Sequence, residues 1–576
     1  MKKTPSLKQR HCHYYLAGFA LMLSSSVMAQ CPDVTLTKVP LFGDLHTHSS
    51  YSFDAFAVGT SNDPWDAYGF AKKEKSLPLT QGQNLWIDRP LDFAAVTDHA
   101  ELLGQMQRNS DNCSADGHDC PNGKLQAWQN IQQAANDHYD ECSFTTFIGY
   151  EYSKQQNSTV PDSDETLVSM LHRNVIFRNT KVPIQPFSFF QEATPQALWS
   201  RLDKQCIQAG NGCDVIAIPH NSNLSNGFMF PDFSNSDNAL ELAQLQRRFE
   251  PLVEIIQHKG ASECQFNAGL LGEEECNFEY VGGFAGLGGG ASPQTANSGY
   301  VRSALKTGLK IENSLGVNPY QLGFIGSTDN HNATPGAVSE SGWEGFIGDT
   351  DDEAQERLSP DLIEQGSGGL AVVWAEQNTR DSIFDSLQQR ETYATSGPRM
   401  IVRTFGSWDL PEDICTQPQW LETAYEKGVP MGGDLGQSPK SEPPIFVISA
   451  MKDSGGEANN LERLQVVKGW TDSNGNSHER VYDVYGNKVP TTVVNLNTCA
   501  VQPDVGFASA CLTWTDPDFV QTQNAFYYTR VLEVPSCRWS QMQANDIKQP
   551  HPQEVEPTIR ERAWTSPIWV AASEEL

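Results

Sequence analysis

Histidines and carboxylates recur directly after short apolar runs along the first part of the chain. The first example is the segment GDLHTH, in which His46 and His48 follow the apolar run Val39–Phe42. In a strand the side chains of alternate residues share one face, so both imidazoles can reach the same metal ion. The pattern alone is equally typical of two surface or hydrogen-bonded histidines. Evidence for a metal site therefore has to come from the other segments of the chain.

Five further predicted strands end in the same way. The residues are Asp98 and His99 after LDFAAVT, Glu151 after TFIGY, His220 after DVIAIP, His258 after LVEIIQ, and Asp329 and His331 after GFIGST. The carboxyl ends of strands form the active face of α/β barrels and open sheets. Because one face would collect all of these residues, we expect a metal centre there rather than six separate buried histidines. His172, in LHRNVIF, precedes its apolar run instead.

The types of ligand restrict the metal. Imidazoles and carboxylates without a thiolate motif suit Zn²⁺, Mn²⁺ or Fe²⁺ better than Ca²⁺ or Mg²⁺. About ten ligands are too many for one ion. We therefore expect two or three divalent transition-metal ions that share a bridging carboxylate and a bridging water.

Strand-like and helix-like segments alternate from Leu41 to about Met400. The predicted strands are Leu91–Thr97, Phe144–Tyr150, Val175–Phe177, Val215–Ile218, Val253–Ile256 and Gly323–Gly326. The predicted helices are Leu125–Tyr139, Pro195–Ala209 behind a Thr194 cap, Asn238–Phe249, Gly299–Asn313 and Asp381–Gln389. This alternation predicts an α/β fold with a mostly parallel sheet, open or closed into a barrel.

After about Ile401 the chain consists of short strand-like runs between polar turns. They are Ile445–Ala450, Leu464–Val467, Arg480–Tyr485, Val493–Leu496, Ala510–Trp514 and Ala525–Val531, with a strong turn signal at Asp472–Asn476. This texture predicts a mostly-β, sandwich-like region.

Residues 1–29 have the features of a secretory signal peptide. Four cations open the segment, at Lys2, Lys3, Lys8 and Arg10. The apolar stretch Tyr14–Leu23 is too short for a membrane span, and Val27–Ala29 offers a small-residue cleavage site. Gln30 before Cys31 does not suit lipoprotein processing. We therefore expect an exported, periplasmic protein whose mature chain starts near Gln30.

Loss of these four cations takes the formal charge from −31 to −35. So acidic a surface repels nucleic acid and anionic lipid. We expect a small-molecule substrate and no nucleic-acid partner, and the sequence leaves the oligomeric state open.

Cysteine content agrees with export. Twelve of the 13 cysteines lie outside the leader, and no C-x-x-C pair is present. Disulfides that close short loops are the better interpretation in an oxidising compartment. The close pairs are Cys113 with Cys120, Cys206 with Cys213, Cys264 with Cys276, and Cys499 with Cys511.

The order of the metal-binding motifs resembles the polymerase and histidinol phosphatase (PHP) superfamily. That order is H-x-H with a trailing Asp54, then D-H, G-x-E, H, P-H and D-x-H, over about Leu41 to Arg399. The resemblance implies a metal-dependent phosphoesterase on a distorted (β/α)7 barrel with a two- or three-metal centre. The segments QHKGASE, STDNH, TYATSGPR and ERAWTSPIW further resemble an exported branch known mainly as a domain of unknown function.

The resemblance also implies which residues would bind each metal. A first ion would be held by His46, His48, Glu151 and Asp329. Glu151 would bridge to a second ion held by His172 and His220. A third would be held by Asp54, His99 and His331, although Phe53 lengthens the family's spacer before Asp54.

Other residues would support the reaction without holding an ion. Asp98 would lie behind the ligands, and His258, an addition to the simplest family pattern, would be a ligand or a phosphate contact. His258, Lys259 and Arg399 could bind phosphate charge, while Glu151 holds the ions that generate hydroxide. An ordinary salt bridge explains Lys259 and Arg399 equally well. No G-x-S-x-G nucleophile segment is present.

Three segments therefore follow: a signal peptide (1–29), a PHP-like hydrolase domain (30–400) and a β-rich C-terminal domain (401–576). The expected activity is phosphoester hydrolysis by a metal-bridging hydroxide. A metal-dependent amidohydrolase or lactonase is one alternative, because ligands alone do not fix the electrophile. The other is a secreted metal- and glycan-binding protein that uses exposed aromatics such as Trp420, Trp470 and Trp514, which core tryptophans explain equally well.

Overall fold

The structure is a computed structural model. It describes residues 1, 31, 37–105, 123–159, 166–234, 236–266, 274–281, 283–284, 289–290, 296–440, 442–455 and 458–573. The predicted signal peptide and the Cys113–Cys120 pair lie outside these residues, and the leader stays a prediction. No helix in the described part of the chain is long and apolar enough to cross a membrane.

The described residues form an α/β protein. Its strands up to residue 400 are β1 (Val39–Asp44), β2 (Leu77–Pro78), β3 (Asn84–Leu85), β4 (Phe93–Val96), β5 (Thr145–Thr159), β6 (Thr166–Phe177), β7 (Val215–Pro219), β8 (Leu252–Gln257), β9 (Gly260–Ala261), β10 (Gly283–Phe284), β11 (Gly289–Gly290), β12 (Gly323–Gly326), β13 (Leu370–Ala375) and β14 (Thr392–Thr395). Its helices are α1 (Phe53–Ala57), α2 (Pro64–Ala71), α3 (Gly123–Asp137), α4 (Pro195–Gln205), α5 (Ala239–Phe249), α6 (Val301–Leu315), α7 (Ala354–Arg357), α8 (Arg380–Gln389), α9 (Trp420–Lys427) and α10 (Trp539–Asp546).

Strands dominate the remainder of the chain. They are β15 (Ile401–Ser407), β16 (Val429–Pro430), β17 (Asp434–Gln437), β18 (Ile445–Met451), β19 (Leu461–Thr471), β20 (Ser477–Gly486), β21 (Val494–Asn495), β22 (Ala500–Val501), β23 (Ser509–Thr515), β24 (Ala525–Glu533), β25 (Ser536–Cys537), β26 (Thr558–Ile559), β27 (Arg562–Thr565) and β28 (Ile568–Ala571). The strands and helices foreseen in the sequence all occur, and most of their ends are shifted by a few residues. The exceptions are β5, which runs nine residues past its predicted end, and β6, which begins nine residues before its predicted start. Local sequence explains helix starts such as α4, where the Thr194 side chain accepts from the Ala197 amide and Pro195 opens the helix.

One large mixed sheet organises the fold. Its order is β17-β28-β24-β27-β14-β13-β1-β4-β5-β6-β7, and β19 joins it through β24 and carries β20. Strands β8, β9 and β12 form a separate sheet in the order β12-β8-β9. Side chains from both sheets nevertheless pack into one core, which includes Ile216 and Ile218 of β7, Leu252 of β8 and Ile325 of β12.

The expected (β/α)7 barrel is not what the structure shows. The mixed α/β class is confirmed, but the hydrogen-bonded sheet of the described residues does not close. Nor is it mostly parallel, because β1 pairs parallel with β4, and β4 with β5, but β13 with β1, β5 with β6, and β6 with β7 pair antiparallel. The cause lies in β5 and β6, which form a long hairpin where an α/β barrel would have a helical crossover.

The C-terminal region is β-rich, as expected. Strands β16, β15, β18 and β23 form a four-stranded antiparallel sheet. Other strands of this region extend the large sheet, since β27 pairs with β14 and β24 pairs with β27 and β28. Strands from both sides of residue 400 therefore share one sheet, and the domain boundary placed there stays a prediction.

Five disulfides occur among the described residues. They are Cys31–Cys142, Cys206–Cys213, Cys264–Cys276, Cys415–Cys511 and Cys499–Cys537. Two of the close pairs are thereby confirmed. The pairing of Cys499 with Cys511 is wrong, because each lies beside a cysteine that is more distant in sequence. This number of disulfides is typical of an oxidising, extracytoplasmic compartment.

Glu533, at the end of β24, makes folding stability depend on pH. It is buried, and burial together with the nearby Asp453 raises its pKa to about 8. An unfolded chain releases this proton near pH 4.5. The folded state therefore binds more protons between these values, and this stabilising contribution is lost as the pH rises through them.

We expect Glu533→Gln to remove that dependence, because the amide stays neutral. The melting temperature of the variant should exceed that of wild type at pH 8, and the difference should shrink toward pH 4.5. Thermal melts at several pH values measure this. The exposed Glu554, changed to Gln, is the control. A Glu533→Gln variant that melts below wild type at pH 8 would show that the carboxylate itself stabilises the fold.

Candidate metal centre

Turns that follow the strands carry the candidate ligands to one place. Backbone hydrogen bonds tie these turns together: the His48 amide donates to Asn330 O at 2.7 Å and the Asp329 amide to His46 O at 2.9 Å. The Glu151 amide likewise donates to Asp98 O at 3.1 Å. Main-chain hydrogen bonds therefore fix the strand ends to each other, independently of any contact between the side chains.

His46, His48 and Asp329 form the first group that could hold an ion. The Nε2 atoms of His46 and His48 lie 3.2 and 3.1 Å from Asp329 Oδ1 and 3.3 Å from each other. All three residues are buried. The H-x-H pair therefore converges as expected, although both histidines follow β1 rather than lie in it.

Glu151 lies between imidazoles on both of its oxygens. Oε1 is 3.1 Å from His220 Nε2 and 2.7 Å from His172 Nδ1. Oε2 is 3.1 Å from His48 Nε2 and 3.5 Å from His46 Nε2. A carboxylate in this position can bridge two ions. A group that could hold an ion contains His46, Glu151 and His220, without His172.

Asp54, His99 and His331 meet at a third position. Asp54 Oδ2 is 2.9 Å from His99 Nε2 and 3.1 Å from His331 Nε2, and His48 completes this group. Helix α1 begins at Phe53, so the longer spacer forms the first turn of a helix that presents Asp54. Asp54 is half-buried, with 32% of its side chain exposed, which makes it the most open of the candidate ligands.

His258 and Lys259 lie beside Asp329. His258 Nε2 is 3.3 Å from Asp329 Oδ2, and His258, Asp329 and His331 form a fourth possible group. The Lys259 ammonium pairs with the same carboxylate and lies 3.2 Å from His258 Nε2. Lys259 is therefore part of the centre rather than of a surface salt bridge.

Most of the imidazoles are oriented through their second ring nitrogen. His46 Nδ1 lies 3.1 Å from Glu254 Oε2, His48 Nδ1 lies 2.7 Å from Ser52 Oγ, and His99 Nδ1 contacts Ser153 Oγ. His331 Nδ1 lies 2.9 Å from Asp329 O. Such contacts leave Nε2 toward the centre and fix the ring, as in known metal sites.

These orienting residues are absent from the sequence-based prediction. Glu254 is the clearest omission, because it is a carboxylate inside the apolar strand β8, LVEIIQ, and is almost fully buried. A charged residue within a buried run is itself a signal, since such a group needs a partner. Gln257, at the end of the same strand, donates to Asp329 Oδ2 at 2.8 Å.

The charges in the centre favour cations. Burial alone would raise the pKa of Glu151, but the charge of His99 and the hydrogen bonds from His172 and His220 outweigh it and hold that pKa well below its usual value. His46 and Lys259 likewise outweigh burial and hold the pKa of Asp329 well below its usual value. Burial, with His46 nearby, lowers the pKa of His220 to about 3. Ionised carboxylates and a neutral imidazole are the forms that bind metal ions.

Of the residues expected to support the reaction without holding an ion, Asp98 lies behind the ligands as expected and Arg399 lies away from them. Asp98 is buried behind the ligands, where it accepts from the Ser49 amide at 2.6 Å and from Ser49 Oγ at 2.7 Å. Arg399 does not face the centre, because its guanidinium donates to Pro90 O and Arg89 O at 2.9 and 2.8 Å. Arg399 follows a strand in sequence, but this position alone does not determine toward which end of the sheet its side chain extends.

His172 also differs from expectation in its place on the strand. It lies within β6, opposite Ser153 of β5, and does not open a strand. The hairpin of β5 and β6 carries Glu151, Ser153 and His172 into the centre from mid-strand positions.

The tryptophans proposed for glycan binding are not exposed platforms. Trp420, Trp470 and Trp514 are half-buried. Trp514 packs 5.8 Å from the Phe446 ring and Trp470 stacks on His478. Neighbouring side chains therefore cover part of these rings, and the structure adds no support for the glycan-binding alternative.

The chain matches the model of a family described as a protein of unknown function, DUF3604, over residues 35–119 and 109–572. It belongs to that family, as its resemblance to a domain of unknown function anticipated. No match was found among curated proteins. One solved structure to which the chain is similar is a two-domain protein from Bacteroides vulgatus that contains a predicted PHP-like metal-dependent phosphoesterase. It is 12% identical, with 86% of this chain and 92% of that chain covered and a TM-score of 0.30, which does not establish a shared fold.

We expect Glu254→Gln to weaken metal binding by about 10- to 100-fold, the usual effect of losing a carboxylate behind a metal-binding histidine. The amide can still contact His46 Nδ1 but no longer raises the basicity of Nε2. Titration with Mn²⁺ or Zn²⁺ in a competing chelator measures the change.

Glu250→Gln is the matched control, since Glu250 is equally buried but pairs with Arg173 and Trp199. Both variants should lose stability, and only Glu254→Gln should lose metal affinity. Equal metal affinity in the two variants would remove Glu254 from the centre.

Proposed function

We propose that the protein is an exported metal-dependent hydrolase, a phosphoesterase of the PHP type, with two or three divalent transition-metal ions in its centre. The observation that carries this proposal is the position of Glu151, whose two oxygens contact imidazoles from four different segments, those of His46 and His48, His99, His172 and His220. The groups of histidine and carboxylate around it support a centre with more than one ion.

The proposed ligands are those nearest to Glu151, Asp329 and Asp54. They are His46, His48, Asp54, His99, Glu151, His172, His220, Asp329 and His331. When bound there, Mn²⁺, Zn²⁺ or Fe²⁺ would supply hydroxide at neutral pH and neutralise phosphoryl oxygens. The orienting contacts of Glu254, Ser52 and Ser153 would hold the rings at fixed angles during the reaction.

Cations of the chain itself would complete the phosphate site. The Lys259 ammonium lies at the edge of the centre, within reach of both Asp329 and His258. An ion bound to Asp329 would compete for this carboxylate and free the ammonium for a phosphoryl oxygen. A negatively charged substrate needs such cations because the whole chain is strongly acidic.

Export is part of the proposal. The proposed cleavage after Ala29 would leave Cys31 near the new amino terminus, where a disulfide joins it to Cys142. A small phosphorylated molecule in the periplasm is the proposed substrate, and nucleic acid is not proposed as a partner.

The substrate class is tested with Mn²⁺- or Zn²⁺-loaded mature protein and a panel of phosphate mono-, di- and triesters, amides and lactones. We expect hydrolysis of a phosphoester with competitive inhibition by inorganic phosphate. Amide or lactone hydrolysis that proceeds unchanged in millimolar phosphate would assign the centre to an amidohydrolase instead.

Glu151→Gln is the matched inactive variant. The change keeps the size of the side chain but removes the charge that both bridged ions require, so activity should fall by at least about 1,000-fold. Elemental analysis should show fewer ions per chain than the two or three expected of wild type. Near-normal activity with unchanged metal content would place the centre elsewhere.

A further inference from the structure

Buried polar atoms around the candidate centre differ in how completely they are paired. His46, His48, His99 and His331 each have a partner for Nδ1, as described above. His172 Nε2 and His258 Nδ1 have no partner within the described part of the chain, and unpaired atoms are most concentrated in the segment that begins at His220. The buried atoms His220 Nδ1, Asn221 Nδ2 and Ser222 Oγ, on three consecutive residues, have no hydrogen-bond partner there.

Unpaired polar atoms of this kind are rare in folded proteins. A buried donor without a partner loses its hydrogen bonds to water and gains none, so it destabilises the fold. The exposed fractions of His220, Asn221 and Ser222 are 1%, 2% and 0%. Three such residues in succession, beginning at a candidate ligand, indicate a position that a bound group completes.

The segment that carries these atoms is well anchored. Asn221 adopts a left-handed conformation, with φ of 52°, directly after His220, and a 3-10 helix, Ser222–Leu224, follows. Asn223 Nδ2 donates to Lys259 O at 3.0 Å and Asn223 Oδ1 accepts from Ser262 Oγ at 2.9 Å. The segment therefore joins the His220 side of the centre to the Lys259 side.

The unpaired atoms share one chemical property. An asparagine Nδ2 donates two hydrogen bonds, a serine hydroxyl donates one, and His220 Nδ1 donates once a metal ion occupies Nε2. A group that satisfies three donors must be rich in acceptors. An oxyanion has this property, and fixed donors beside a centre of positive charge are the usual means of holding one.

We propose that Asn221 and Ser222 bind the non-bridging phosphoryl oxygens of the substrate, next to His220. This proposal rests on the proposed phosphoesterase function and adds two substrate-binding residues to it. Neither residue belongs to the sequence motifs that led to the candidate ligands.

The proposal requires opposite effects on stability and on binding. Ser222→Ala removes a buried, unpaired hydroxyl, so the melting temperature should stay the same or rise. Asn221→Gly removes the amide and keeps the left-handed backbone, which glycine adopts readily. In Mn²⁺-loaded protein, calorimetric titration with inorganic phosphate should show binding about 10- to 100-fold weaker in each variant, the loss of a hydrogen bond to a charged group.

Thr145→Val is the matched control. Thr145 Oγ1 is also buried without a partner among the described residues, but it lies at the start of β5, about 20 Å along the strand from Glu151. This variant should show the same stability change as Ser222→Ala and unchanged phosphate binding.

Three outcomes would overturn the proposal. Unchanged phosphate affinity with a lower melting temperature in Ser222→Ala would assign the hydroxyl to a structural water. If elemental analysis showed that a variant had lost metal, the substituted residue would be assigned to holding the metal ligands in place rather than to binding phosphate. Wild type that holds its metal but binds no phosphate would refute the phosphoesterase function itself, and this proposal with it.

Discussion

The buried carboxylate of Glu151 is the constraint on which the rest of the centre depends. Its side chain is 1% exposed, and a carboxylate so placed is stable only among positive charges or donors. Imidazoles supply that environment from β6 and from the turns after β1, β4 and β7. Protons on rings such as His99 can balance this charge, because carboxylates such as Asp54 outweigh the effect of burial and raise the pKa of His99 to about 10. Bound metal ions would take over the role of those protons.

This constraint explains why the long hairpin of β5 and β6 matters more than barrel closure. Side chains directly opposite each other in an antiparallel pair point to the same face. Ser153 and His172 form such a pair, as do Glu151 and Asn174. The hairpin thus delivers several groups to one face of one pair of strands, without helices between them. A regular parallel barrel would contribute only the residues at each strand end.

Much of this arrangement could be predicted from the sequence because it follows local rules. Apolar runs located the strands, and the rule that strand ends meet at one edge brought His46, His48, His99, Asp329 and His331 together. The long antiparallel pairing of β5 with β6 could not be predicted. Past Glu151, β5 continues through the polar residues 153–157, which have no alternating apolar pattern to mark them as a strand.

Errors arose where the answer depends on distant parts of the chain. The partners of Cys499 and Cys511 lie 38 and 96 residues away in sequence, so short spacing favoured the wrong pair. Arg399 follows β14, but its guanidinium meets the carbonyls that precede β4 and packs 5.6 Å from the Phe42 ring. Glu254 was overlooked because a strand-end search ignores strand interiors. In each case the missing information is which elements pack against each other.

The distribution of exposure around the centre also bears on how a charged molecule would enter. Asp54, in helix α1, is the candidate ligand most open to solvent, whereas His46, His48 and Glu151 lie behind it. A molecule that arrives from solvent would therefore meet Asp54 early. The paired His99 offsets the charge of this carboxylate, but the chain as a whole, with a formal charge of −31, repels an anion. With ions bound to Asp54, His99 and His331, the same entrance becomes attractive, so metal loading would control access as well as chemistry.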